Sequence, residues 1–515
     1  MKKIKYIIIS SCIFFFLSCD SDLNIQNDNE PDIKRAFSNP NDLVNTVGGG
    51  LLTWWNGTNG NQHPGQALAV GADLTTSERA GAGQADFSEI PRIAYPNSVF
   101  YTRQETVDNP WFQNYAALAA ANAGLRALNE GVKLDSQQNE IMLTATAQLL
   151  QGLSLGHLGI WFDKAVIVDE NSTEEEIAKS QFEPYGAVVD KAIEKLDAAI
   201  TTAGSSTFRL PDGFISGYDA SNPLNNVKLA QFANTMAARF LMHRARTPAE
   251  NLQTDWSRVL SYARKGVKGW DFAPAAQGAE EPGLWVDAYK KETHRPDRIR
   301  ASNEIVGIAD NSGKLAAWLA LPPNDRRPII VQTDDRRVTA AGNPTAPGLY
   351  FAYNVRTHGD LSRGWYRQSR YYSKRYASHT GLTGSSNYCT EDENDLIIAE
   401  ALLRTNGSKT EAVQIINSTR VTNGQLPALT GSESTEELLN SLMYERLLEL
   451  GYNAAGLTYG DKRRWELKGP YVRSNGSGVY QHFTGTPRNL PVPARELQTL
   501  GLDVYTFGGP TAADE

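Results

Sequence analysis

The sequence predicts a mainly α fold: a tetratricopeptide-like stack of helical hairpins joined to a large, irregular, loop-rich half in which a ligand would bind. Three observations predict it. Amphipathic segments recur at helical spacing, short polar turns join neighbouring segments into hairpins, and two long stretches rich in Gly, Pro, Asn, Asp and aromatic residues interrupt the series.

The first helix of the series starts near Trp111, where Tyr115, Leu118, Leu125 and Leu128 keep one face and alanines leave the rest narrow enough for close packing. Ile141 to Gly159 repeats the habit through Leu149, Leu150, Leu153 and Leu155, so the two read as an antiparallel hairpin. The pattern returns over Tyr185 to Ile200, Leu229 to Leu241 and Trp256 to Ala263. It closes with Leu396 to Leu403, Ala412 to Thr419 and Leu438 to Leu450. Eight helices pair off in this way, without a strict 34-residue period. Their stripes are core stripes and poor candidates for a cofactor site.

At the start of the chain, basic Lys2, Lys3 and Lys5 precede an apolar run that ends in Leu17-Ser18-Cys19. The run is shorter than the roughly 20 residues that span a bilayer, so residues 1–18 read as a signal peptide. Phe16-Leu17-Ser18-Cys19 matches a bacterial lipobox, which makes Cys19 the expected site of lipidation. Several acyl chains on one residue anchor a protein stably. Asp20, Ser21 and Asp22 resemble the surface-export signal of Bacteroidota lipoproteins, which places the protein on the outer membrane facing the cell exterior. Residues 19–40, polar and without apolar period, read as a tether. Residues 41–515 are enough for one large domain or two smaller ones, with loop-rich insertions near 56–109 and 269–388. Of three cysteines only Cys389 would remain as a thiol, so stability must come from a core, for which 41% hydrophobic content is ample. Removing the three signal-peptide lysines takes the net charge from -8 to about -11, which argues against nucleic acid as a partner.

The irregular stretches carry the binding expectation. A glycan is gripped by stacking its C–H faces on Trp or Tyr and by hydrogen bonding its hydroxyls with Asn, Asp, Gln or Arg. Trp54, Trp55, Tyr95 and Tyr101 supply rings in and beside the first stretch; Trp285, Tyr289 and Trp318 supply them in the second. Trp55 and Trp285 are the leading candidates. Trp54 and Trp55 are neighbours at the end of a helix-like segment, so one of them is expected to point away from the core. Trp318 lies in an apolar run that favours burial. Arg370 to Tyr376 interleaves basic and aromatic residues as a single-strand nucleic-acid groove does, but in an acidic extracellular chain it reads as a half-buried strand.

No catalytic residue, metal ligand or cofactor is expected. There is no G-x-S-x-G, the seven histidines form no H-x-x-x-H pair, and no carboxylate pair lies in a recognisable catalytic motif. Asp392-Glu393-Asn394-Asp395 lacks EF-hand spacing and reads as the acidic first turn of a helix. Gly48-Gly49-Gly50 has no Lys-Ser/Thr and is not a phosphate loop. Glu445, Arg446, Glu449, Arg463 and Arg464 read as structural ion pairs.

Taken in order, these segments resemble the SusD/RagB family of nutrient-uptake lipoproteins. Trp111, Tyr115, Ala121-Asn122 and Leu125 are similar to the family's early helix. Trp161-Phe162-Asp163 stands where the family has a Tyr-Gly-Asp-like corner, and Ala237 to Leu241 resembles its Arg-containing helix. Asp325-Arg326-Arg327-Pro328 loosely matches its Asp-Pro-Arg element. Tyr444 to Leu450, Gly460 to Trp465 and Asn489-Leu490-Pro491-Val492-Pro493 are similar to its C-terminal signatures. The resemblance implies that residues 41–515 are a single domain of four helical hairpins with an irregular binding half, capping a SusC-like TonB-dependent transporter as a hinged lid. It further implies a surface lipoprotein that captures oligo- or polysaccharide and passes it to that barrel without turnover. Alternatives are a RagB-like peptide-binding lipoprotein and a surface glycan-degrading enzyme. Neither the glycan, nor the transporter interface, nor a structural calcium is encoded in any motif.

Overall fold

The computed structural model describes residues 37, 39–60, 63–77, 84–279, 281, 283–297, 299–340, 342–355 and 369–510. The signal peptide over 1–18, Cys19 and most of the tether over 19–40 lie outside the described residues.

Most of the helices begin where the apolar period meets a side-chain cap. The first, α1 (Pro40–Thr58), begins on Asn39, whose side chain accepts from the Asn41 N–H at 3.1 Å. It is followed by α2 (Glu105–Asn129), α3 (Gln137–Trp161), α4 (Tyr185–Ala203), α5 (Asn226–His243) and α6 (Trp256–Ala263). Ser136, Asn225 and Asp255 cap α3, α5 and α6 by accepting from backbone N–H groups. The C-terminal set is α7 (Glu391–Arg404), α8 (Lys409–Thr422), α9 (Thr435–Leu450) and the short α10 (Leu457–Arg464). Thr390 caps α7, which places Glu391, Asp392 and Glu393 in its first turn, as the helix dipole favours. All eight helices read from the sequence are present.

The helix α1 stands outside those eight. Its three consecutive glycines lower helix propensity, yet tertiary packing requires two of them. A Cβ on Gly48 would lie 2.8 Å from the Phe214 ring, and one on Gly50 would lie 2.6 Å from Leu150. In exchange α1 seats against both α2 and α3.

From there each helix packs on its successor, α2 on α3, α3 on α4, α4 on α5 and α5 on α6. The stack resumes across the long insertion, where α6 meets α7, and α7 in turn holds α8 and α9. The insertion itself folds into short elements held by distant partners. Thr75–Ser77 pairs antiparallel with Ile299–Ala301, Ala275–Gln277 with Thr383–Ser385, and Phe351–Tyr353 with Tyr371–Ser373. The last pair contains the half-buried strand expected over 370–376.

One apolar core runs from the helices into this irregular half. Buried ion pairs hold the helices to one another, and one cluster ties the irregular half to them. Arg239 of α5 grips Glu393 of α7 through Nε at 2.6 Å and Nη2 at 2.5 Å. Arg464 of α10 holds Glu400 of α7 at 2.6 and 2.8 Å. Arg446 holds Asp461 at 2.9 and 3.0 Å. Glu445 and Glu449 are structural as expected, but their partner comes from the insertion and not from their own helix: Arg337 reaches both, and Asp335 as well. Among the described residues no helix is long and apolar enough to cross a membrane.

Candidate functional site: a polar cleft above an aromatic seam

Where α1 meets the irregular half, the sequence-named tryptophans gather. Trp54 and Trp55 meet at 6.2 Å between ring centroids, Trp55 and Trp285 at 5.4 Å, and both α1 indoles lie against Tyr388 at 5.3 and 5.6 Å. The expectation that one of Trp54 and Trp55 points away from the core is not met. Both are buried, because the irregular half covers the face of α1 that an isolated helix would leave bare. The Trp55 indole Nε1 donates to the Val286 carbonyl at 2.7 Å, which pins the 277–286 segment onto α1. Deeper in the seam, His157 Nε2 meets the Tyr388 hydroxyl at 2.7 Å. Burial holds that imidazole neutral, its pKa pushed down to about 3.

Above this seam lies a cleft of about 800 Å³. It runs between α1, the turn into α3, the 208–216 loop and the 277–285 segment. Its floor is apolar, with Val44, Leu52, Met142, Phe208 and Phe214, and Trp285 closes one end. Its walls carry five amides: Asn41 and Asn45 one turn apart on α1, Gln138 and Asn139 in the first turn of α3, and Gln277. Arg209 and Asp212 form an ion pair on the 208–216 loop. The Gln277 side-chain oxygen accepts from the Trp285 backbone N–H at 2.7 Å, so the amide and the indole move as one unit. Each amide both donates and accepts, and such a lining suits a neutral ligand dense in hydroxyl or peptide groups.

The other named aromatics sit elsewhere. Tyr289 is buried with its hydroxyl on the Gly451 carbonyl at 3.3 Å and its ring against His63. Tyr95 and Tyr101 meet edge to face at 5.9 Å; Tyr95 is buried, and half-buried Tyr101 donates to Asp86 at 2.6 Å. Beside them Phe100 offers its ring to solvent, 90% exposed. Trp318 is buried under Arg326, whose guanidinium lies 4.5 Å from the ring centre. Of the seven, Trp285 lines the cleft, and it is only 4% exposed. The structure therefore brings Trp54, Trp55 and Trp285 together, with Tyr289 close by in sequence, and leaves Tyr95, Tyr101 and Trp318 apart. The amides of the cleft went unread in the sequence. Their one local signal is Asn41 and Asn45 at four-residue spacing on the polar face of a helix.

Comparison with solved structures decides the architecture. A SusD superfamily protein of Parabacteroides distasonis aligns with a TM-score of 0.63 at 14% identity, over 90% of this chain and 98% of that one. The fold is the SusD fold. A SusD homolog of Bacteroides thetaiotaomicron aligns at 0.62 and 14% identity, over 93% of this chain and 98% of its own. A SusD-like carbohydrate-binding protein of Bacteroides fragilis aligns at 0.55 and 14% identity, over 83% and 86%. No protein-family model and no curated protein sequence matches the chain. What is shared with the SusD structures at this identity is the backbone: the helical stack and the irregular half mounted on it.

Proposed function

We propose that this chain is a surface-anchored, glycan-binding lipoprotein of the SusD type, which captures oligo- or polysaccharide in the cleft above the Trp54–Trp55–Trp285 seam. The observation that carries the reading is the cleft, with five amides around an apolar floor, built on a fold shared with a SusD-like carbohydrate-binding protein. Delivery to a SusC-like TonB-dependent transporter and anchoring through Cys19 belong to the same reading and rest on the order of sequence signatures and the lipobox. Capture without turnover belongs to the same reading; of the two carboxylates that line the cleft among the described residues, Asp135 and Asp212, the second is held by Arg209. An acid and base poised for glycoside hydrolysis need two carboxyl groups flanking one bond.

Native electrophoresis in gels containing neutral polysaccharides tests capture, with reducing ends measured in the same samples. Retardation without new ends supports the proposal, and new ends would replace it with an enzyme. Isolation of the tagged chain from outer membranes tests delivery, for which a co-purifying β-barrel transporter is the expected companion.

A further inference from the structure

A second pocket, of about 380 Å³, opens between α10, Pro248 and the 475–488 loop, and it shares no lining residue with the cleft. Lys462, Arg463, His482 and Arg488 line it, and no carboxylate does among the described residues.

The charge around it does not balance. Asp73 and Glu304, the acids behind the pocket, are engaged by other cations. Arg92 holds Asp73 at 2.7 Å, and Arg473 holds Glu304 at 2.5 Å and Asp73 at 3.5 Å. Arg463 directs its guanidinium to the carbonyls of Arg488, Ile160 and His243 at 2.6 to 2.9 Å. Lys462 is left over. It is 3% exposed, its ammonium makes no hydrogen bond or ion pair, and it borders the pocket. The same lining leaves both His482 ring nitrogens and the Trp465 Nε1 without partners. A buried ammonium whose nearby acids, Asp73 and Glu304, are paired with other cations is costly, and so is each buried N–H with no acceptor. One ammonium and two N–H groups of this lining, those of Trp465 and of the neutral His482, thus lack acceptors.

We infer that this pocket binds a tetrahedral oxyanion, a sulfate or phosphate group, with the Lys462 ammonium as its counter-charge and Trp465 and His482 as donors. The oxygens of a tetrahedral anion accept from donors spread over all sides, whereas a carboxylate accepts chiefly near its own plane. The volume sits at the small end of ligand sites, about 300–1,000 Å³, so a sugar or other small polar molecule can carry the group. The inference stands apart from glycan capture in the cleft and does not depend on it.

Titration calorimetry on the mature chain tests it with inorganic sulfate, inorganic phosphate and galactose 6-sulfate as probes, and galactose as the uncharged control. The expected result is saturable binding of at least one anion, absent for galactose. That binding weakens by about tenfold or more in Lys462→Met and by a smaller factor in His482→Gln. Binding by the inorganic ions identifies the free anion as the ligand, and binding by galactose 6-sulfate alone identifies an ester. Circular dichroism establishes that each variant is folded, and His482→Gln decides the matter if Lys462→Met is not. No binding by any of the three anions, or equal affinity in the folded variants and the parent, overturns the inference.

Discussion

Arg337 and Lys462 are both buried cations, and their surroundings treat them in opposite ways. Arg337 lies between Asp335, Glu445 and Glu449, with Tyr350 donating to Glu449 at 2.7 Å and Tyr444 to Asp335 at 2.6 Å. Burial pushes the Glu445 carboxyl up, and Arg337 opposes that rise. Arg337→Leu leaves buried carboxylates without their cation, so urea denaturation should show a loss of about 3–5 kcal/mol. Lys462 has no such partner. Burial, with Arg473 adding to it, lowers its pKa from 10.5 to about 8. Between those two values the unfolded chain binds the proton that the folded chain has released, so stability rises with pH across that window. Below about pH 8 the full penalty, about 3 kcal/mol, is present. Lys462→Met should therefore stabilise the ligand-free protein at pH 7 by up to about that amount, and the gain over the parent should shrink by about pH 10. Equal stability at both pH values would contradict the assigned environment. At this scale the sequence was least legible. It marked Trp54, Trp55 and Tyr289 as binding aromatics, but large rings also serve to pack an irregular half onto a scaffold, and all three are buried. The amides of the cleft carry no sequence signature, since Asn and Gln occur on any solvated face.

At the scale of elements the reading was closer. Amphipathic period plus a polar turn located every helix from α2 to α9, because each buries one stripe against its neighbour and the stripe is local information. The α1 helix reads only as a helix-like segment ending at Trp54 and Trp55, outside the eight, because its apolar face is made partly of glycine, whose burial shows only when Phe214 and Leu150 are in place. Gly156 in α3 has the same role. A Cβ there would lie 2.0 Å from the Phe240 ring of α5. Gly156→Ala gains helix propensity of about 1 kcal/mol but must displace that ring, so a net loss of about 1–3 kcal/mol is expected in thermal or urea unfolding. An unchanged midpoint would mean that α3 and α5 do not pack as described. The short strands of the insertion were beyond local reading. Thr75–Ser77 finds its partner at Ile299–Ala301, more than two hundred residues away, and a three-residue strand carries too little pattern to reveal that pairing.

For the whole molecule, the helical stack and the irregular half share one core, and the tryptophan seam is the joint between them. Trp55→Ala removes a ring that contacts Trp54, Trp285 and Tyr388 and a hydrogen bond to Val286, so it should cost about 3–5 kcal/mol. A loss of binding in that variant would not by itself locate a ligand. The cleft amides allow a cleaner test, because Asn41 and Asn45 are exposed on α1 and their truncation leaves the seam intact. The most direct measurement is calorimetry of the chain lacking residues 1–22 against marine, plant and host polysaccharides, comparing the parent with the double variant Asn41→Ala, Asn45→Ala. Saturable binding to a polysaccharide, reduced about tenfold or more in a double variant with an unchanged unfolding midpoint, is the predicted result. Binding of equal strength in the double variant, or silence across the panel with binding to peptides instead, would contradict glycan capture in this cleft.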